Sequence, residues 1–157
     1  MSDGHDDVQD LYRQLILDHA REPRNFGRID NATHTAEGIN PLCGDKLRLY
    51  LSVDSDEKIV DIGFEGSGCA ISVASASLLT ETVTDLSMAH ADICFNAVTS
   101  RLTHQTTDVA LPESIDIARL KALDGVRQHP SRVKCATLAW HALHAALDQS
   151  PATATTE

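Results

Sequence analysis

The chain has 157 residues, a net charge of −10 at pH 7, 42% hydrophobic residues and 4% aromatic residues. This length and composition are typical of one globular domain, and the acidic surplus argues against nucleic acid or an anionic membrane as the main partner. Because aspartates stand where a secretion signal carries basic and apolar residues, and because no apolar run approaches the ~20 residues that cross a bilayer, we expect a cytoplasmic protein.

The first half of the chain predicts one helix followed by three strands. Apolar residues at helical spacing predict a helix over residues 7–21, which Pro23 ends. A short first strand is expected over residues 33–38. Alternating apolar and polar residues predict two further strands over residues 46–53 and 58–65, and the short polar turn between them favours an antiparallel hairpin.

The second half of the chain predicts helices. Their expected positions are residues 69–83, residues 86–102, a short helix that ends at Gly125, and a last helix that begins near Pro130. Residues 149–157 have nothing apolar to bury, so we expect one domain over residues 1–148 and a mobile C-terminal tail. This order of elements predicts an α+β fold in which a three-stranded antiparallel sheet forms one layer and several helices form the other.

Four cysteines are the feature with the most chemical content, because thiols in a reducing compartment are more often metal ligands or reactive groups than disulfides. Cys43 lies in a predicted loop between two strands, and Asp45 follows closely enough to bind the same cation. A turn that happens to contain a thiol is the simpler alternative. Cys94 lies in the middle of a predicted helix and is assigned to the core.

Cys69 and Cys135 each stand near the start of a predicted helix. Cys69 follows the segment Gly66-Ser67-Gly68, where the helix dipole favours a thiolate. Cys135 follows Arg132 and Lys134, whose positive charges are expected to lower its pKa. A single free cysteine is more often a buried core residue. Three cysteines at loops or helix starts together favour a shared site.

The candidate ligands are three thiolates and one carboxylate, from Cys43, Cys69, Cys135 and Asp45. Such a set suits tetrahedral zinc or an iron–sulfur centre, and it does not suit calcium or magnesium, which prefer oxygen ligands. His141 and His144 lie three residues apart and could bind metal, but a solvated helix face is the commoner explanation. The residue types also leave a Cys–His hydrolase open, although no local signature of one is present.

Several segments of the chain together resemble the iron–sulfur cluster assembly proteins of the IscU/NifU N-terminal family. The matching segments are Leu11-Tyr12-Arg13 through Asp18-His19, Pro23-Arg24-Asn25, Asn40-Pro41-Leu42-Cys43-Gly44-Asp45, Gly66-Ser67-Gly68-Cys69-Ala70-Ile71-Ser72, and Arg132-Val133-Lys134-Cys135-Ala136-Thr137-Leu138-Ala139-Trp140. They span roughly residues 8–148. Two features resemble the SufU branch of the family: Lys134, where the scaffold branch typically has His, and an extra segment over residues 103–128.

The resemblance implies a SufE/NifU-like fold and a zinc ion held by Cys43, Asp45, Cys69 and Cys135. The implied function is that of a zinc-dependent sulfurtransferase. A pyridoxal-phosphate cysteine desulfurase of the SufS type carries sulfur as a persulfide, and Cys43 accepts this sulfur and passes it to the downstream cluster-assembly scaffold. Arg132 matches a basic residue of the motif and is implied to hold the partner or the leaving thiolate.

Two alternatives to sulfur transfer use the same ligands. One is a scaffold on which a [2Fe–2S] cluster is assembled, with iron in place of zinc; Lys134 argues against it. The other is a binding module with a purely structural zinc ion. The presence of Asp45 argues against this module, because a structural site usually completes its shell with Cys or His.

Overall fold

The residues that the structure describes form four α-helices, one 3₁₀ helix and one sheet. The structure is a computed structural model that describes residues 4–103, 111–112, 115, 118–149 and 153–156. In chain order the elements are α1 (Gly4–Arg21), β1 (His34–Asn40), β2 (Asp45–Val53), β3 (Ile59–Ser67), α2 (Ala70–Val83), α3 (Met88–Thr103), the 3₁₀ helix (Ala118–Val126), α4 (Pro130–Leu147) and β4 (Ala154–Thr155). None of the helices in these ranges is long and apolar enough to cross a membrane.

The sheet has the strand order β3-β2-β1-β4. β2 pairs antiparallel with both β1 and β3, as the alternating residues of the hairpin predict. The fourth strand, β4, runs parallel to β1, with Gly38 opposite Ala154 and Ile39 opposite Thr155. The α+β fold is therefore confirmed, but the predicted number of three strands is wrong by one, because two residues cannot show the alternation that reveals a strand.

The pairing of β4 with β1 places part of the C-terminal segment against the sheet. The sequence predicts a mobile tail from Gln149 because nothing apolar follows it, whereas the structure holds part of this segment at the sheet edge by its backbone. The N–H of Thr156 donates to the carbonyl oxygen of Ile39 at 3.3 Å, and Thr156 is buried. Backbone hydrogen bonds therefore hold this segment against β1 without the burial of large apolar side chains. The domain limit at residue 148 stays a prediction.

Helix α4 joins the two layers of the fold. It packs against β1, β2, α2 and α3. Trp140 on α4 is wholly buried, and its indole N–H donates to Ser75 Oγ at 3.1 Å. The buried face of β2 contributes Leu47, Leu49 and Leu51 to the same core, because alternate residues of a strand point to one face. This packing brings the start of α4 close to the end of the sheet where β1 turns into β2.

A second short segment pairs with the opposite edge of the sheet, at β3. The N–H of Gly27 donates to the carbonyl oxygen of Phe64 at 2.7 Å, and the N–H of Phe64 donates to the carbonyl oxygen of Asn25 at 3.1 Å. The ring of Phe26 meets the ring of Phe64 edge-on, with 5.2 Å between the ring centroids. The edges of β1 and β3 that face away from β2 are therefore both partly covered.

Helix α1 is attached to α2 through a buried histidine. His19 Nδ1 lies 2.7 Å from Ser77 Oγ, which also accepts the backbone N–H of Arg24 at 2.8 Å. Burial lowers the pKa of His19, and the positive charge of Arg24 lowers it further, although the carboxylate of Glu81 acts in the opposite direction. The folded protein therefore favours the neutral imidazole.

We expect the free energy of unfolding to fall as the pH drops below the ordinary pKa of histidine, about 6.5. The unfolded chain takes up a proton on His19 at that pH, whereas the folded chain does so only at a lower pH. The stability from neutral His19 is thus complete above the unfolded pKa and is lost as the pH falls toward the folded pKa. Urea unfolding at several pH values measures this slope.

The His19→Gln variant should show a smaller pH slope than the natural protein. Part of the slope should remain, because burial also lowers the pKa of His141. An equal or steeper slope in the variant would contradict this account.

Candidate metal centre

The hairpin of β1 and β2 places Cys43 and Asp45. Asn40, the last residue of β1, pairs with Asp45, the first residue of β2. The carbonyl oxygen of Asn40 accepts the N–H groups of Cys43 at 3.3 Å and Gly44 at 2.9 Å. Gly44 has a φ of +70°, a left-handed conformation that favours glycine. This tight turn leaves Cys43 exposed, whereas Asp45 is wholly buried.

Two helices bring Cys69 and Cys135 to the same place. Cys69 is the N-cap residue of α2, and its Sγ accepts the N–H of Ser72 at 3.5 Å. The N–H of Cys69 donates to Asp45 Oδ1 at 2.8 Å. Cys135 lies in the second turn of α4, where it is 2% exposed, and its Sγ lies 3.4 Å from Cys43 Sγ. The hairpin, the start of α2 and the start of α4 therefore converge on one point.

The structure groups the predicted ligands closely. Cys43, Asp45 and Cys135 each place one ligand atom within 4.8 Å of the others, and no other such group occurs among the described residues. Cys69 adjoins this group through its backbone hydrogen bond to Asp45 and through a side-chain contact with Cys135. Three of the four predicted ligands thus form one close group, and Cys69 lies next to it.

The other residues that the sequence singled out lie apart from this group. Cys94 is wholly buried in the core, and burial raises the pKa of its thiol to about 12, which confirms its assignment to packing. His144 Nδ1 lies 3.0 Å from Asp92 Oδ1, and its ring stacks on Phe95. Neither His141 nor His144 belongs to the metal-ligand group that the described residues form.

The prediction for the pKa of Cys135 is wrong. Arg132 and Lys134 are expected from the sequence to lower it, but burial and the contacts with the three neighbouring ligands raise it. Arg132 is exposed, so solvent screens its charge, whereas the sulfur of Cys135 is almost wholly desolvated. Cys135 is therefore a thiol when no metal is bound. A bound metal ion reverses this preference, because it deprotonates a coordinating thiol outright.

Asp45 gives the clearest indication that the site takes a cation. Its side chain is 0% exposed, and it takes part in none of the ion pairs among the described residues. Buried charges are ordinarily paired with an opposite charge or bound to a metal. The sulfur atoms of Cys43 and Cys135 lie beside this carboxylate, and Cys69 adjoins it through its N–H, so the donor set fits zinc or an iron–sulfur centre.

Asn40 also belongs to the site, although the residue pattern alone gives it no role. It is buried, and its Nδ2 lies 3.2 Å from Asp45 Oδ2 and 3.4 Å from Cys135 Sγ. The signal in the sequence is the short loop between the two strands, because a tight hairpin places the residue before the loop opposite the residue after it.

Gly68 has no side chain, and the carboxyl group of Asp45 occupies the space that a side chain there would fill. A Cβ atom at Gly68 would lie 2.5 Å from Asp45 Oδ1 and 3.0 Å from Asp45 Cγ. We expect the Gly68→Ala variant to displace this carboxylate and to lower the affinity for Co²⁺, used as a coloured probe, about tenfold in a spectroscopic titration. The control is Gly125→Ala, since a Cβ there meets nothing within 4 Å. Equal affinities of the two variants would count against this role of Gly68.

Known proteins similar to this chain share one family. The NifU-like N terminal domain matches residues 11–96. The zinc-dependent sulfurtransferase SufU of Bacillus subtilis (strain 168) is 39% identical over 133 residues, which cover 85% of this chain and 86% of that protein. The chain belongs to the NifU-like N-terminal family. The family resemblance of its sequence motifs is thereby confirmed.

Two further similarities connect this NifU-like N-terminal domain to iron–sulfur cluster assembly. The scaffold protein IscU of Streptococcus pyogenes serotype M1 is 35% identical over 140 residues, which cover 89% of this chain and 84% of that protein. The crystal structure of FiSufU from the thermophile Fervidobacterium islandicum AW-1 superposes with a TM-score of 0.74 at 33% identity, covering 85% of this chain and 94% of that one. The fold and the membership in the iron–sulfur cluster assembly family agree with the prediction.

Proposed function

We propose that this protein is a zinc-dependent sulfurtransferase that accepts sulfur from a pyridoxal-phosphate cysteine desulfurase of the SufS type. Cys43, Asp45, Cys69 and Cys135 hold one zinc ion in this proposal. The observation that carries it is the buried carboxylate of Asp45, which lies beside the thiols of Cys43 and Cys135, accepts the backbone N–H of Cys69, and takes part in no ion pair among the described residues. The similarity to the SufU of Bacillus subtilis supports zinc as the metal.

The exposure of the ligands indicates which of them accepts sulfur. Asp45 and Cys135 are buried and Cys69 is half-buried, whereas Cys43 is exposed in the loop between β1 and β2. A persulfide carried by another protein reaches the most exposed thiol most readily, so we assign the role of acceptor to Cys43. Zinc, when bound, keeps coordinating thiols in the nucleophilic thiolate form at neutral pH.

The proposed reaction is an exchange between a thiolate and a persulfide. The Cys43 thiolate attacks the outer sulfur of the partner's persulfide and forms a new S–S bond. The bond between that sulfur and the partner's cysteine breaks, and the partner's cysteine leaves as a thiolate. Cys43 then carries the sulfur as a persulfide for the downstream scaffold, and no external oxidant is needed. We assign to Arg132, exposed in the first turn of α4, the role of attracting the leaving thiolate.

A scaffold that assembles a [2Fe–2S] cluster on the same side chains is the second candidate. The similarity to the IscU of Streptococcus pyogenes favours it. Thiolates are the usual ligands of such clusters, so three of the four donors suit iron as well as zinc. The two candidates differ in what stays on the protein: a single zinc ion or the finished cluster.

Metal analysis of protein purified without oxygen separates the two candidates. One zinc ion per chain in a colourless protein supports sulfur transfer. Iron with a matching amount of sulfide, and the visible absorption that accompanies it, supports the scaffold. A protein that holds neither metal, and that binds no zinc when zinc is added, would overturn both.

A further inference from the structure

We propose that Asn40 is a positioning residue that fixes the two buried ligands of the metal centre, Asp45 and Cys135. This inference rests on the proposed function, since these two residues are ligands of its zinc ion. Asn40 is the last residue of β1, and its side chain is 0% exposed.

One amide nitrogen of Asn40 bridges two of the proposed ligands. Nδ2 donates to Asp45 Oδ2 at 3.2 Å and to Cys135 Sγ at 3.4 Å. A primary amide nitrogen carries two N–H groups, so it can serve both acceptors at once. The orientation of the amide follows from the same chemistry, because an oxygen turned toward a carboxylate and a metal-bound thiolate would face two negative groups.

The other end of the Asn40 amide has no partner. Its Oδ1 is buried and makes no hydrogen bond within the described part of the chain. An unpaired buried oxygen costs stability, so an asparagine that served only the fold would be a poor choice here. Both side-chain hydrogen bonds that the structure shows for Asn40 go to proposed ligands. The position is therefore explained by the site and not by the packing of β1.

These bonds restrain the inner ligands and leave the outer one free to move. Asp45 has both carboxylate oxygens held, one by Asn40 and the other by the N–H of Cys69. Cys135 is fixed by α4 and by the same amide. Cys43 is bonded to Asn40 only through the backbone of its loop. Hydrogen bonds to metal ligands fix their orientation and raise metal affinity, so Asp45 and Cys135 are the ligands that the protein retains.

The Asn40→Leu variant tests this role, because leucine has a similar size and no hydrogen-bond donor. We expect its affinity for Zn²⁺, measured by competition with a chromophoric chelator, to fall roughly 10–100-fold. The thermal midpoint of the metal-free protein should fall by less than that of the zinc-loaded protein, because only the loaded protein also loses stabilisation from bound zinc when Asp45 loses its hydrogen bond from the amide. The absorption bands of the Co²⁺-loaded protein should also shift, because two ligands are no longer held in place.

The matched control is Thr137→Val. Thr137 is a buried polar residue two positions after Cys135, but its hydroxyl donates to the carbonyl oxygen of Val133 at 2.9 Å within α4. The zinc affinity of the Thr137→Val variant should equal that of the natural protein. If the leucine variant does not fold, Asn40→Thr keeps one donor and suits a strand, and its zinc affinity should fall about tenfold.

Two results would overturn the role of Asn40. One is an unchanged zinc affinity in the variant that folds. The other is a fall in the thermal midpoint of the metal-free protein as large as the fall in the zinc-loaded protein, which would show that the amide serves the fold. A different result would contradict the proposed function: the absence of zinc binding by the natural protein itself.

Discussion

Replacing Cys43 with serine is expected to abolish sulfur acceptance while the fold persists. A serine hydroxyl is a far weaker nucleophile than a thiolate at neutral pH, so the stimulation of a cysteine desulfurase should fall about a hundredfold or more. The fold should persist because Cys43 is exposed and contributes nothing to the core. Sulfide release from free cysteine, measured with and without the variant, reports the first effect, and thermal unfolding reports the second.

The matched control for Cys43→Ser is Cys94→Ala. This variant also removes one thiol, but from the core, where burial holds the pKa far above neutral and the reactive form is absent. At temperatures where it is folded, Cys94→Ala should stimulate the desulfurase as well as the natural protein does. Full stimulation by Cys43→Ser would show that Cys43 is not the acceptor.

Asp45→Ala and Asp45→Cys are expected to change zinc exchange in opposite directions. Alanine leaves three thiolates and an open position, so zinc should dissociate about 100-fold faster. Cysteine completes a shell of four thiolates, as in structural zinc sites, so zinc should dissociate more slowly. Both variants should lose sulfur acceptance, the first because the metal is lost and the second because Cys43 is no longer released. Transfer of zinc to a chromophoric chelator measures the rates.

Asp61→Ala is the control for the change in charge, since Asp61 is an exposed acid on β3. It should leave both the zinc exchange and the sulfur acceptance unchanged. The proposed role of Asp45 fails if Asp45→Ala keeps both normal zinc exchange and normal sulfur acceptance. It also fails if the cysteine variant releases zinc as fast as the alanine variant.

The main elements of the fold follow from periodic patterns in the sequence. Leu47, Leu49 and Leu51 alternate with polar residues, and such alternation predicts a strand with one buried face. Trp140 lies on the apolar face of α4 and is buried there, as its helical spacing predicts. β4 cannot be predicted in this way, because its two residues pair with β1, a contact that depends on the fold of the whole chain.

The candidate site is predictable in its composition but not in its electrostatics. Cys43, Asp45 and Cys135 meet because loops and helix starts gather at one end of the sheet, and their local contexts indicate such positions. The direction in which the pKa of Cys135 shifts cannot be predicted from the sequence. Its neighbours in sequence are cations, whereas its neighbours in space are sulfur atoms and a carboxylate. The bridging amide of Asn40 is likewise visible only when the side chains are placed.

The segments that pair with β1 and β3 limit the strand edge that this protein can offer to another copy. A bare strand edge offers its N–H and C=O groups to any other chain and is a common start of aggregation. Here β4 covers Gly38 and Ile39 on β1, and the pairing of residues 25–27 covers Phe64 on β3. The protein also exposes an apolar side chain, Leu42, next to the thiol of Cys43. With β1 and β3 partly covered, this loop is available for a specific encounter while pairing of those strands with another copy is disfavoured.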